Sequence, residues 1–208
     1  MMKKSLLVLA MGTLFAATAS ANFYVQGDLG TSKVKWSGHG ESVSKSGFSP
    51  SLSVGYKFTD FRLALDYTRY ATIKYNYVDH DYLGVDNAVF ESGKGKLKTD
   101  SFGLSAIYDI NLNSALTPYV GARIAANRLS WDDNGIETHK MQGGKEIISK
   151  TSEKYRKTKI GYGVLAGVSY KFTDSLALNA GLEYNYLGKF DGDKGNQYGA
   201  KVGLRYEF

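Results

Sequence analysis

The sequence contains no cysteine, and only three histidines and two prolines, among its 208 residues. The missing thiols exclude a disulfide scaffold, a thiolate zinc site and a cysteine nucleophile. Also missing is an apolar run of the roughly 20 residues that a helical membrane span requires. A mean hydropathy of −0.29 likewise excludes a multi-span helical membrane protein. From residue 22 onward no segment keeps apolar residues at i, i+3, i+4 and i+7 over three turns, so the helical signal is absent. What the chain has instead is 24 Gly, 16 Tyr and 10 Phe. Its glycine share, about 11.5%, stands well above the usual level of roughly 7%. At 43% hydrophobic and 13% aromatic residues the chain is too apolar for intrinsic disorder. Its length suits one domain, or at most two small ones. A net charge of +6 raises the question of nucleic acid, which the N-terminus argues against.

Residues 1–21 read as a secretory signal peptide. Lys3 and Lys4 form a positive start, Leu6 to Ala17 an apolar stretch, and Ala19-Ser20-Ala21 a small-residue cleavage site. Cleavage leaves residues 22–208 as an exported domain with no nucleic-acid partner and, lacking Cys after the cleavage point, no lipoprotein anchor.

Period-two alternation appears eight times: Phe23–Leu29, Ser51–Phe58, Phe61–Thr68, Phe102–Ile110, Tyr119–Asn127, Ile160–Phe172, Leu176–Tyr186 and Tyr198–Phe208. Thr59-Asp60, Asn111–Ala115 and Thr173–Ser175 make short connections, while 33–47, 72–97, 128–158 and 188–197 are long and polar. The turn sequence Tyr56-Lys57-Phe58-Thr59-Asp60 recurs as Tyr170-Lys171-Phe172-Thr173-Asp174. Short turns at one end and long loops at the other are the pattern of an outer-membrane barrel.

Alternation alone also suits a soluble barrel, so the question is which face points out. The polar face is rich in glycine (Gly55, Gly103, Gly121, Gly161, Gly163, Gly167, Gly181, Gly199, Gly203), which weakens a solvated strand but fits a crowded eight-stranded interior. Aromatic residues gather near strand ends on the apolar face, as interfacial girdles do. The last strand runs 11 residues to a terminal Phe208, the length of a tilted membrane strand. The expected fold is all-β: an eight-stranded antiparallel transmembrane β-barrel with short periplasmic turns and four long extracellular loops. Closure satisfies every backbone group within lipid.

The segments Phe61-Arg62-Leu63-Ala64-Leu65-Asp66-Tyr67-Thr68-Arg69-Tyr70, Pro118-Tyr119-Val120-Gly121-Ala122-Arg123 and Gly181-Leu182-Glu183-Tyr184-Asn185-Tyr186-Leu187-Gly188-Lys189 resemble the opacity (Opa) family of outer-membrane proteins. So does the closing Gly199-Ala200-Lys201-Val202-Gly203-Leu204-Arg205-Tyr206-Glu207-Phe208, which also resembles the terminal signal read by barrel-assembly machinery. The resemblance covers the strands and fades in the loops. It implies an eight-stranded barrel in the bacterial outer membrane, with surface adhesion through the longer loops; the family is also known as a porin family. No receptor-contact residue carries over, because the loops differ.

The lumen is expected to hold Asp28, Asp66 and Glu183 with Arg62, Arg123, Lys201 and Arg205, paired into a plug because unpaired buried charge is costly. A narrow or gated pore is the competing reading of the same charges, and a structural envelope role is another. No catalytic group is assigned: His39, His80 and His139 all fall in expected loops, with no acid–base pair on a strand. Asp79-His80-Asp81 is no metal site, since three successive residues of a strand cannot all face one ion. No cofactor is implied.

Binding is the stronger reading. Loop 2 carries Tyr75, Tyr77, Tyr82 and Phe90, and loop 3 carries Trp131 followed by Lys150, Lys154, Arg156 and Lys157. Exposed rings supply contact area to a host cell-surface receptor. The net basic 150–159 stretch suits either a sulfated glycan or the phosphates of lipopolysaccharide beside the membrane lipid.

Overall fold

The computed structural model describes residues 22–38, 41–82, 88–141, 145–190 and 192–208. The expected signal peptide lies outside the described residues. Ten strands form: β1 (Phe23–Gly38), β2 (Glu41–Phe48), β3 (Ser51–Lys57), β4 (Phe61–Arg69), β5 (Ile73–Tyr82), β6 (Ala88–Asp109), β7 (Leu116–Met141), β8 (Lys145–Lys171), β9 (Leu176–Phe190) and β10 (Asp193–Glu207). All pairings are antiparallel. The ring runs β1-β3-β4-β6-β7-β8-β9-β10 and closes where β10 pairs back onto β1, from Tyr24↔Glu207 to Ser37↔Lys194. Eight stations therefore surround the bore.

β2 and β5 are the upper continuations of β3 and β4. The first break is at Ser49-Pro50, where proline has no N–H to give the ladder. The second spans Tyr70, Ala71 and Thr72.

The barrel is apolar outside. Leu29, Leu65, Phe102, Ile124, Ile160, Val164, Leu182 and Leu204 are all exposed, Ile160 to 65%. Such a surface is stable only against lipid. Rings edge the lower rim, with Phe23 5.0 Å from Tyr56, Tyr170 5.1 Å from Phe172 and Tyr206 5.1 Å from Phe208. Tyr67–Phe102 and Tyr162–Tyr186 edge the upper one.

The ladders extend well beyond the expected strand ends. Much of 72–97 and 128–158, read from sequence as loop, is strand: β5 pairs β6 from Ile73↔Leu97 to Tyr82↔Ala88, and β7 pairs β8 as far as Met141↔Lys145. Alternation there sets one polar residue against another, so it leaves little hydrophobic signal. Above the bilayer the ring divides. β8 pairs β9 only from Tyr162↔Tyr186 downward, and β2 pairs β1 but not β5. One extracellular sheet comprises β5 and the upper parts of β6, β7 and β8. The other comprises β2 and the upper parts of β1, β10 and β9.

Candidate functional site

The lower bore is filled with paired charge. Arg123 meets Asp66 at 2.5 Å and also donates to Ser101. Lys201 meets Glu183 at 2.9 Å. Arg62 donates to both oxygens of Asp109 at 2.7–3.1 Å. Arg205 lies 2.9 Å from Glu207, which Lys57 also approaches, at 3.1 Å. Asp28 accepts hydrogen bonds from Gln26 and Ser51. Of the lumen residues expected from sequence, the structure joins Asp66 with Arg123 and Glu183 with Lys201. It gives Arg62 and Arg205 partners nearer the lower rim. Tyr24 and Tyr119 were missed: their rings take the guanidinium of Arg62 at 5.8 and 5.2 Å, and Tyr24 also takes that of Arg205 at 5.7 Å. A cavity of about 90 Å³ remains among these groups.

Glycine makes room for this layer. A Cβ on Gly103 would lie 2.4 Å from Arg123 Nε, and one on Gly181 2.4 Å from the Tyr119 hydroxyl.

Above the charged layer the bore is apolar. Val34 and Trp36 from β1, Tyr70, Ile73 from β5, and Leu187 and Phe190 from β9 pack into one buried cluster, joined by Leu97 of β6 and Leu129 of β7. Side chains from most of the ring thus converge in the bore. The lumen is blocked twice, by ion pairs below and by apolar packing above.

The residues expected to bind at the surface separate by parity. Opposed residues in a ladder share a face. On the sheet of β5–β8 the row Leu97↔Trp131↔Tyr155 continues the buried interior, and Lys157 lies opposite Leu129 on that same inner face. Tyr75 is also inward: its hydroxyl donates to Asp133 at 2.7 Å and its ring meets Trp131 at 6.0 Å. Lys154, opposite Asp132, and Arg156, opposite Ser130, face outward, as does Lys150 opposite Ile136. Phe90 stands opposite Thr138 on the outer rows. Tyr77 and Tyr82 take backbone positions in β5, opposite Gly93 and Ala88; their side chains lie outside the described residues. Lys157 thus parts from the other three cations, because a strand turns successive side chains to opposite faces.

The outer face gains cations that the sequence reading passed over. Lys74, Lys94, Lys96 and Lys98 of β5 and β6, and Arg128 of β7, share it with Lys150, Lys154 and Arg156. One row reads Lys74↔Lys96↔Asp132↔Lys154. Among the side chains described, the acids on this face are Asp100 and Asp132, and each meets a cation at 2.9 Å, Arg69 and Lys98 respectively. The bond from Lys98 holds the Asp132 carboxyl below the ordinary carboxylate range. The alternation Lys94-Gly95-Lys96-Leu97-Lys98 was the available signal.

No group of metal-ligating side chains occurs among the described residues. His39 and the side chains of Asp79, His80 and Asp81 lie outside them. His139 stands in β7, 2.8 Å from Glu137.

Residues 54–208 match the family described as Opacity family porin protein. An uncharacterized protein of Haemophilus influenzae is 40% identical over 208 residues, covering all of both chains. Protein opa of the same species is 36% identical, covering 74% of this chain and all of its own. Opacity protein opA51 of Neisseria gonorrhoeae is 32% identical, covering 76% of this chain and 77% of its own. Among solved structures, Neisserial surface protein A (NspA) aligns with a TM-score of 0.59 and 36% identity, over 89% of this chain and 97% of its own. The attachment invasion locus protein Ail of Yersinia pestis, solved with the heparin analogue sucrose octasulfate, aligns at 0.54 with 17% identity, over 89% and 99%.

Proposed function

The chain belongs to the opacity family of bacterial outer-membrane β-barrel proteins, and within it we propose that it acts as a surface adhesin for sulfated host glycan. The observation carrying this reading is the register of β5–β8, which collects Lys74, Lys94, Lys96, Lys98, Arg128, Lys150, Lys154 and Arg156 on one outward face. Neighbouring strands stand about 5 Å apart and successive outward residues about 7 Å along a strand. A polyanion lying on such a lattice meets several cations at once, and affinity then comes from many weak contacts.

The doubly blocked bore weighs against the porin reading. Selectivity by charged rings needs an aqueous path between them, and here the charges neutralise one another beneath a buried apolar cluster.

The test is charge reversal of outward residues, Lys96→Glu with Lys154→Glu and Arg156→Glu, against reversal of inward Lys157. Immobilised heparin and epithelial cells are the first arm, purified lipopolysaccharide the second. The outward triple variant is expected to lose heparin and cell binding, and wild-type binding to fall steeply with salt. Unchanged, salt-insensitive binding would defeat the adhesin reading. Loss of lipopolysaccharide binding alone would assign the face to the cell's own envelope.

A further inference from the structure

The lipid-facing wall is not uniform. From β7 round to β1 one outward row reads Val120↔Ala166↔Leu182↔Ala200↔Thr31. The row above it reads Ala122↔Val164↔Tyr184↔Tyr198↔Lys33. Ala166 and Ala200 are short among exposed neighbours, and a groove of about 810 Å³ crosses the wall there. Its lining includes both alanines with Leu182, Tyr184, Tyr198 and Lys33. The hydroxyl of Tyr184 donates to Asn196 at 3.1 Å, which holds that ring in place as a wall.

The groove ends at a cation. Lys33 Nζ lies 5.9 Å from the centroid of the Tyr198 ring. The ring quadrupole orients the ammonium there without neutralising it. The level is that of the upper head groups: the girdle pair Tyr162↔Tyr186 stands one row higher, and its row runs on through Asn196 to Lys35. Lys33 and Lys35 are successive outward residues of β1, about 7 Å apart. Long lysine stems lie along an apolar wall and carry their charge to the interface.

We propose that this groove binds the lipid part of lipopolysaccharide, with one acyl chain over Ala166 and Ala200 and a phosphate at Lys33 and Lys35. A soluble anion has no use for the apolar groove, and a neutral lipid has none for the two lysines. An acyl chain joined to a phosphate uses both, and the two-dimensional membrane presents it at this height. Electrostatic attraction adds to the buried apolar area, as in other contacts with anionic lipid. The groove shares no residue with the outward cations of β5–β8, so it stands apart from the glycan reading.

The experiment uses the full barrel refolded in a maltoside detergent, with bound lipid counted by native mass spectrometry. Diphosphoryl lipid A and its phosphate-free form are the probes, and inorganic phosphate is the competitor. The diphosphoryl form is expected to be retained saturably and the phosphate-free form more weakly, with no displacement by inorganic phosphate. Lys33→Gln should weaken the diphosphoryl form about fivefold and spare the other. Ala166→Phe and Ala200→Phe fill the groove and should weaken both forms. Leu104→Phe, on the exposed wall of β6, should weaken neither. Heat-modifiable gel migration verifies that each variant is folded. The variant charge-reversed at Lys96, Lys154 and Arg156 should keep its lipid A whether or not it binds heparin. Equal retention of the two forms, displacement by inorganic phosphate, or indifference to both phenylalanine substitutions would overturn the proposal. So would loss of lipid A from the charge-reversed variant with full retention by Lys33→Gln, which would place the phosphate on β5–β8.

Discussion

Arg123 and Asp66 meet across the lumen from β7 and β4, two strands separated in the ring by β6, and the guanidinium donates two hydrogen bonds to the carboxylate, of 2.9 and 2.5 Å. The guanidinium also donates to Ser101 and to the Tyr70 hydroxyl, tying the charged layer to the apolar cluster above. Removing one partner strands the other charge away from bulk water. Arg123→Ala is therefore expected to destabilise the barrel by about 3–5 kcal/mol, measured by urea unfolding from lipid vesicles. The double variant Arg123→Met/Asp66→Leu should recover most of that loss, since no unpaired charge remains. A double variant as unstable as the single one would show that the network, not the stranded carboxylate, sets the effect.

Much of this architecture was legible in the sequence. Glycine on one face and aromatic rings on the other distinguish a filled membrane barrel from a soluble one, and the structure has that inside-out arrangement at Gly103, Gly181, Phe102 and Leu182. The extracellular half was harder. Lys94 to Lys98 alternate as strictly as any membrane strand, but with Gly and Leu between lysines the hydrophobic contrast is weak. The 150–159 run looked like one basic patch because composition ignores parity. Its split into Lys154 and Arg156 outside and Lys157 inside follows only from the β7–β8 register. The cleft of Trp36 and Phe190 with Trp131 and Tyr155 joins strands distant in sequence, and no local pattern announces it.

Conductance follows from the doubly blocked bore. Reconstituted in planar bilayers, the protein is expected to give small, rare openings at most. Leu187→Ala loosens only the apolar cluster, and should add little conductance while Arg123–Asp66 and Lys201–Glu183 stay in place. Steady currents of porin size in the wild type would contradict the blocked lumen.

Hydrogen exchange should resolve the division of the extracellular ring. β7 is paired on both sides, to β6 and to β8, over 119–140. Its amides should be protected without interruption. β8 between 147 and 160 is paired only to β7. Successive N–H groups of a strand point to opposite edges, so protection there should alternate, with fast exchange at every second residue. The outward lysines also guard this open edge against pairing with another chain. Continuous protection along β8 would mean that β9 covers it and that the cleft is closed.

Acid should tune the basic face through one carboxylate. Asp132 is bound by Lys98 at 2.9 Å, and that bond lowers its proton affinity. A lowered value means that the ionised, paired form persists at and somewhat below the ordinary carboxylate range near pH 4. The contact is complete at neutral pH and is lost only as pH falls through the lowered value. Binding of dextran sulfate, whose sulfates stay ionised throughout, should therefore be flat from pH 7 to about pH 4 and strengthen below it as Lys98 is released. Asp132→Asn should show the strengthened binding already at pH 7, by about two- to fivefold, and lose that part of the acid response. Binding that weakens on acidification, or an Asn variant that binds like the wild type, would remove Asp132 and Lys98 from the polyanion surface.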